Sequence, residues 1–220
     1  MQRNSADGSF AFFRESLRTF RTTGALAPSS RYLAAELARP LAPPGERNPV
    51  RVLEVGPGTG VVTRQLAPRI GAADRLDVVE LNPRFARVLE SALRSELVLS
   101  LAADRIRVHE RSILHAALEP GYDVVVSGLP FTNFDPDEVR AMLDRHVGLL
   151  VPGGDLTFFG YVGTGAARSA CASRAEARRH RAVELVLREF VERYGVGRRT
   201  VLRNLPPAHV WHLRAPAELG

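Results

Sequence analysis

At 220 residues, 45% of them hydrophobic, the chain is long enough for one α/β domain with a substantial core. The lone Cys171 excludes an internal disulfide and suits a reducing compartment, and the 6 histidines show no metal-type spacing with cysteine or carboxylate partners, so no metal is expected. The net charge of +6 comes wholly from arginine, because the sequence has no lysine, and it favours an anionic partner: a nucleic acid or an acidic membrane surface.

No charged-then-apolar leader with a cleavage site opens the chain, and no apolar run approaches the roughly 18 residues of a membrane span, so a cytoplasmic or peripheral protein is expected. Over residues 9–23 the periodicity predicts an amphipathic basic helix. Phe10, Phe13, Leu17 and Phe20 recur at helical spacing, flanked by Arg14, Arg18 and Arg21. Such a helix either enters the acyl boundary of a membrane with its aromatic face, its arginines meeting lipid phosphates, or packs over the core. Residues 24–28 end it, and Ser29 or Ser30 can cap a second helix running through Tyr32, Leu33 and Leu37 toward Pro40. Residues 41–48, rich in proline and glycine, form a linker, which divides the chain into an N-terminal helical segment, 1–40, and a main domain, 41–220.

A strand at 50–55 is followed by a helix from Val61 to Arg69, a strand from Arg75 to Leu81, a helix from Pro83 to Leu93 and a strand over 105–109. The valine-rich run Tyr122 to Ser127 is a fourth strand. Asp135 to Leu150 is helical, Val151 to Gly154 a turn, and Asp155 to Tyr161 a fifth strand. Residues 162–181 begin with small side chains and then carry Arg168, Arg174, Arg178, Arg179, His180 and Arg181, a cluster that meets lipid head groups or RNA or is a solvated face. It leads into a helix with Val183, Val186, Leu187, Phe190, Val191 and Tyr194 on its core side. Val196 to Arg203 and His209 to Leu213 are closing strands, joined through Asn204, Leu205, Pro206 and Pro207. The alternation predicts a mostly parallel seven-stranded sheet with helices on both faces, preceded by N-terminal amphipathic helices.

The densest signal is Glu54-Val55-Gly56-Pro57-Gly58-Thr59-Gly60, at a strand-to-helix turn where a backbone must bend sharply and approach a ligand closely. The glycines run G-x-G-x-G rather than G-x-G-x-x-G, and no Lys-Ser/Thr pair follows, which argues against a dinucleotide and against ATP. A second carboxylate, Glu80, ends the next strand about 20 residues on, where it can accept both hydroxyls of a ribose. In these features the chain resembles the class I S-adenosyl-L-methionine (SAM) methyltransferases, Rossmann-like α/β enzymes whose first motif has the acidic-x-G-x-G-x-G form. The resemblance implies SAM as cofactor and S-adenosyl-L-homocysteine as product, with Glu54, Gly56, Pro57, Gly58, Thr59, Gly60, Glu80, Leu81, Asn82 and Ser127 around it. After the third strand such proteins often carry Gly-Asp-Ala, whose Asp meets adenine, whereas this chain has His109-Glu110-Arg111-Ser112. Either Glu110 substitutes, or Ser112 and Ile113 hold the base by backbone and packing.

Ser127-Gly128-Leu129-Pro130-Phe131-Thr132-Asn133-Phe134 lies, by the sheet-topology rule, at the carboxyl edge beside the glycine loop, the place for an acceptor. Many amine methyltransferases carry an Asn/Asp-Pro-Pro-aromatic motif here, and Ser127 in its first position weighs against recognition of a nucleobase amino group. Together with Phe12-Phe13-Arg14, Gly24-Ala25-Leu26-Ala27-Pro28-Ser29-Ser30-Arg31-Tyr32-Leu33-Ala34, Val79-Glu80-Leu81-Asn82-Pro83-Arg84-Phe85-Ala86 and Arg203-Asn204-Leu205-Pro206-Pro207-Ala208, this makes almost the whole chain similar to the bacterial phospholipid N-methyltransferases of the PmtA type.

That resemblance implies successive N-methylation of phosphatidylethanolamine toward phosphatidylcholine by a protein peripheral to the inner face of the cell membrane. The leading helix would be anchor and part of a lid, and a monomer is the expected state. Ser127, Gly128 and Leu129 would hold the amine in line with the methyl group, with Tyr32 orienting it or passing its proton to water; Tyr32 packed at a helix interface is the other reading. Ser29, Ser30, Arg31, Pro130, Phe131 and Arg203 would surround the head group, Arg31 and Arg203 meeting its phosphate or making structural ion pairs. The rivals are an ornithine lipid as acceptor, an RNA adenine N-methyltransferase, which Ser127 and the phenylalanine-rich helix disfavour, and a catalytically silent sensor of SAM and acidic membranes.

Overall fold

The computed structural model describes residues 30–45, 47–162 and 174–217; the expected helix over 9–23, the capping candidate Ser29 and Arg168 lie outside the described residues. The strands are β1 (Arg51–Val55), β2 (Arg75–Glu80), β3 (Ile106–Glu110), β4 (Tyr122–Ser127), β5 (Leu150–Tyr161), β6 (Gly195–Val201) and β7 (Ala208–Arg214). They form one 7-stranded sheet in the order β3-β2-β1-β4-β5-β7-β6. β1 to β5 run parallel, and β7 is antiparallel to both of its neighbours. From β1 the chain steps outward to β2 and β3, then returns to the other side for β4 and β5. The connections therefore diverge between β1 and β4 and leave a crevice at their carboxyl ends.

Pleat alternation builds two core layers from one strand. On β4, Val124 and Val126 join the layer that holds Leu33 and Leu37 of α1 (Arg31–Leu37), Leu66 of α2 (Thr63–Leu66), Leu89 of α3 (Pro83–Ser95) and Leu99 of α4 (Leu97–Ser100). Val125 joins the opposite layer, with Leu143 of α5 (Pro136–Leu149) and Phe190 of α6 (Arg174–Tyr194). The short α1 is tied at both ends. Ser30 Oγ accepts the Leu33 N–H at 3.2 Å as N-cap, Ser30 N donates to Asn204 Oδ1 at 2.9 Å, and Thr157 Oγ1 donates to Leu37 O at 2.8 Å.

β4 has the bounds expected of it, and three departures elsewhere have local causes. The helix expected from Val61 to Arg69 is the single turn α2 continued by a 3₁₀ turn over Ala67–Arg69, because Pro68 has no N–H to bond the carbonyl one turn back. Val151 to Gly154 is not a separate turn: β5 already begins at Leu150, and the register shifts between the Tyr122 and Val124 pairings, where Gly153 takes a φ of 76°. The described part of the basic cluster, Arg174, Arg178, Arg179, His180 and Arg181, is part of α6 rather than its approach, since the helix begins at Arg174.

Candidate active site

Backbone hydrogen bonds draw the crevice together: Gly128 N donates to Val55 O at 2.8 Å, and Gly56 N to Val79 O at 2.9 Å. A Cβ on Gly128 would stand 2.6 Å from Gly56 O, and one on Gly56 2.7 Å from Leu129 Cδ2, so the two loops pass only because both positions lack a side chain. Gly56, Gly58 and Gly60 take φ of 72°, 56° and 80°, a region that excludes most L side chains. Arg64 braces the loop from behind. Its Nη1 donates to Thr59 O at 2.7 Å, while Nε and Nη2 form a bidentate pair with Glu96 at 2.7 and 2.6 Å.

Two buried carboxylates frame this loop. Glu80 Oε2 accepts the Gly58 N–H at 3.1 Å and Oε1 the Asn82 N–H at 2.7 Å, and burial raises its pKa in spite of these bonds. Glu54 is 1% exposed, and neither of its oxygens has a hydrogen-bond partner among the described residues. Burial pushes its carboxyl up to about 8; Thr63, whose hydroxyl stands beside it without closing a hydrogen bond, offsets this only in part. Thr63 Oγ1 and Ser127 Oγ are likewise buried without a partner among the described residues. Buried polar atoms seldom go unpaired, and those of Glu54, Thr63 and Ser127 stand at this one crevice. SAM carries an ammonium that suits a buried carboxylate and ribose hydroxyls that suit Glu80, so the residues present fit the cofactor.

Beyond β3, Ser112 O accepts the N–H groups of His115 and Ala116 at 2.9 and 2.8 Å, and Ile113 is buried in the α5–α6 layer. Arg145 Nη2 holds the same loop through Ala116 O and Leu118 O at 3.3 and 2.9 Å. Glu110 pairs in register with Glu80 but has an exposed side chain. In the acceptor loop Leu129 closes against Gly56, and Pro130 is half-buried. The Phe131 ring lies in the core, edge-on to Phe158 at 5.6 Å and to His146 at 6.3 Å. Arg179 of α6 fastens the far end of the loop, donating to Phe134 O at 2.9 Å and to Thr132 O at 3.4 Å.

Tyr32, Arg31 and Arg203 come together although 171 residues separate the last two. Their guanidinium carbons stand 4.9 and 5.2 Å from the Tyr32 ring centre, and Arg31 Nη2 donates to Tyr32 OH at 2.9 Å. The Arg31 hydrogen bond, with Arg203 adding to it, holds the phenol below its ordinary pKa. Among the described residues no ion pair joins either guanidinium to a carboxylate. The connection 202–207 stands at the carboxyl edge, since Val162 N, just past β5, donates to Pro207 O at 2.8 Å. Across the sheet it is two strands from Ser127, roughly 10 Å, and along the strands it lies further out, past the Tyr161–Ala208 pairing, whereas Ser127 is in register with Phe158. Thr63, Arg64 and Arg145 escape the sequence reading, which names Asn204 only within the connection and motif at 203–208 and Arg179 only within a basic cluster.

Comparison with known proteins agrees with this geometry. A family model described as methyltransferase domain matches residues 52–154. An ornithine lipid N-methyltransferase from Singulisphaera acidiphila is 32% identical over 146 residues, covering 66% of this chain and 73% of that one. A tRNA1(Val) (adenine(37)-N6)-methyltransferase from Actinobacillus pleuropneumoniae is 27% identical over 112 residues, 48% of this chain and 46% of its own length. The solved structure of an O-methyltransferase from Bacillus cereus in complex with S-adenosyl-L-homocysteine shares the fold, with a TM-score of 0.57 at 16% identity over 93% of this chain and 90% of that one. At the identity and coverage of the first relative the relationship is one of family: the chain belongs to the class I SAM-dependent methyltransferases, with SAM as its methyl donor.

Proposed function

We propose that the chain methylates the primary amine of a membrane lipid, phosphatidylethanolamine and its mono- and dimethylated forms in the first instance, as a monomer peripheral to the inner face of the cell membrane. The observation that carries this reading is the placement of Arg31 and Arg203, without carboxylate partners among the described residues, on the edge that also presents Ser127 to Pro130. A zwitterionic head group offers an amine to the loop and an anion to a guanidinium fork. The leading helix expected over residues 9–23 would supply the anchor, since Leu33 and Leu37 of α1 are packed in the core. An ornithine lipid fits the same layout, with a carboxylate in place of the phosphate, and the 32% identity to an ornithine lipid N-methyltransferase supports it as a second reading.

When bound, SAM supplies a methyl group made electrophilic by a sulfonium. The chain has to bring the amine lone pair in line with it and keep water out. An alkylammonium of pKa roughly 10 must first lose a proton. Ser127 Oγ, buried and without a partner among the described residues, can accept an amine N–H and fix the direction of the lone pair. Leu129, closed against Gly56, walls off the crevice from water on that side. The proton passes to water, and no dedicated nucleophile is required.

The test is incubation of the purified full chain with labelled SAM and, separately, vesicles of phosphatidylethanolamine with an anionic lipid, the same vesicles with ornithine lipid, and tRNA. Labelled mono-, di- or trimethylated phosphatidylethanolamine is expected. Label confined to ornithine lipid moves the acceptor to the second reading. Label confined to tRNA, or none with SAM binding intact, rejects a lipid acceptor.

A further inference from the structure

Leu205 and Leu202, 80% and 75% exposed, are the most exposed large apolar side chains among the described residues, and both sit on the connection between β6 and β7. This turn is held from inside. Asn204, between them, is buried; its Nδ2 donates to Pro206 O at 2.7 Å and its Oδ1 accepts the Ser30 N–H at 2.9 Å. The leucines therefore project from a braced turn instead of hanging from a loose one. Arg203 lies between them in sequence and stacks on Tyr32, which also takes Arg31. Exposed Val162 follows β5 at the same edge, beside Pro207. The edge thus presents apolar tips ringed by guanidiniums that face no carboxylate among the described residues.

We propose that this turn is a membrane-insertion tip that seats the mouth of the site on an anionic bilayer, an inference that rests on the lipid reading above. Leu202 and Leu205 enter the acyl boundary, while Arg31 and Arg203 lay their stems along it and keep their charged heads among the phosphates. The charge is complementary to an anionic leaflet. A projecting tip of two leucines also matches a fluid hydrocarbon, which closes around any convex shape. Because the tip and the glycine loop share the carboxyl edge, insertion points the crevice at the layer where lipid amines lie.

The test uses the full chain with Leu205→Cys in a Cys171→Ser background, Cys171 being the only cysteine, labelled with an environment-sensitive fluorophore. On vesicles containing phosphatidylglycerol the emission should rise and shift to the blue, and spin-labelled acyl chains should quench it. On pure phosphatidylcholine the response should be weak. The same label at Leu185→Cys, an exposed leucine on α6, should stay silent. Leu202→Ser should weaken vesicle binding by about tenfold in co-sedimentation. Unchanged emission on vesicles that the protein co-sediments with, an equal response at Leu185→Cys, or no co-sedimentation would overturn the proposal. Lipid methylation with a silent probe rejects the tip alone; probe insertion without methylated lipid keeps the tip and rejects the acceptor.

Discussion

Glu80 accepts the backbone N–H of Gly58 through Oε2 and that of Asn82 through Oε1, so one buried carboxylate spans the glycine loop and the start of α3. A glutamine there has a single acceptor oxygen and must turn its NH₂ toward one of the two donors. Glu80→Gln should therefore lose both the fit to the loop and the pairing with a ribose. A rise of about tenfold or more in the Kd for SAM is expected, roughly 1.4 kcal/mol. Calorimetric titration measures it, with circular dichroism to verify the fold. Unchanged affinity in a folded variant would remove Glu80 from the cofactor site.

The loop glycines are not equivalent. Gly58→Ala meets only the backbone cost of its φ of 56°, since nothing lies within 4 Å of the new Cβ, and should cost about 1–2 kcal/mol. Gly56→Ala has the same kind of backbone cost and also drives a Cβ to 2.7 Å from Leu129 Cδ2, so it should be worse by about 1 kcal/mol or more. A double-mutant cycle separates the two terms. Leu129→Ala should recover part of the Gly56→Ala loss in urea unfolding and none of the Gly58→Ala loss; equal coupling in both would contradict the contact.

What local pattern could announce, the sequence did announce. The valine run of β4 and the glycine loop after β1 are read correctly because hydrophobic period and turn chemistry act within a few residues. The turn expected from Val151 to Gly154 misleads for the opposite reason: Pro152, Gly153 and Gly154 signal a break, yet pairing to β4 carries the strand through it. Contacts such as Asn204 to Ser30 and Arg179 to Phe134 join residues distant in the chain, and no period or motif encodes them. The stacking of Arg31 and Arg203 on one tyrosine is of this kind too: the resemblance puts both arginines at the head-group phosphate and Tyr32 at the amine, and only the fold stacks the three together.

Glu54 makes the stability of the cofactor-free protein depend on pH in an unusual direction. Its folded-state pKa, about 8, lies above the ordinary value of 4.5, so between those limits the unfolded chain is ionised while the folded one keeps the proton. The contribution is fully present below pH 4.5 and is lost as pH rises through 8. Glu54→Gln cannot ionise. It should match the wild type at pH 4.5 and exceed it by a few kcal/mol, at most roughly 5, near pH 8.5. Urea unfolding at the two values checks this, and a constant difference across the range would mean that Glu54 does not titrate in this window.

Arg179 acts on the acceptor loop from outside the crevice. Its Nη1 donates to the carbonyls of Phe134 and Thr132, fixing the end of a loop whose beginning is Ser127. Arg179→Ala should lower kcat/KM by about tenfold through misplacement of the loop, with the Kd for SAM unchanged because the glycine loop is braced separately by Arg64. A parallel loss of SAM affinity would point to a general disturbance of the fold instead.

Tyr32 is the platform on which the two arginines meet, through its ring, and its hydroxyl additionally takes the Arg31 hydrogen bond. Tyr32→Leu removes the ring. Two cation–π contacts at an exposed site suggest a rise in the KM for the lipid of about fivefold to tenfold. Tyr32→Phe keeps both stacked arginines and should raise KM by less. The split between KM and kcat is informative, because a platform acts on head-group binding and leaves the methyl-transfer step alone. A fall in kcat for Tyr32→Phe at unchanged KM would instead give the hydroxyl a part in orienting the amine, and would place Tyr32 next to Ser127 in the reacting complex.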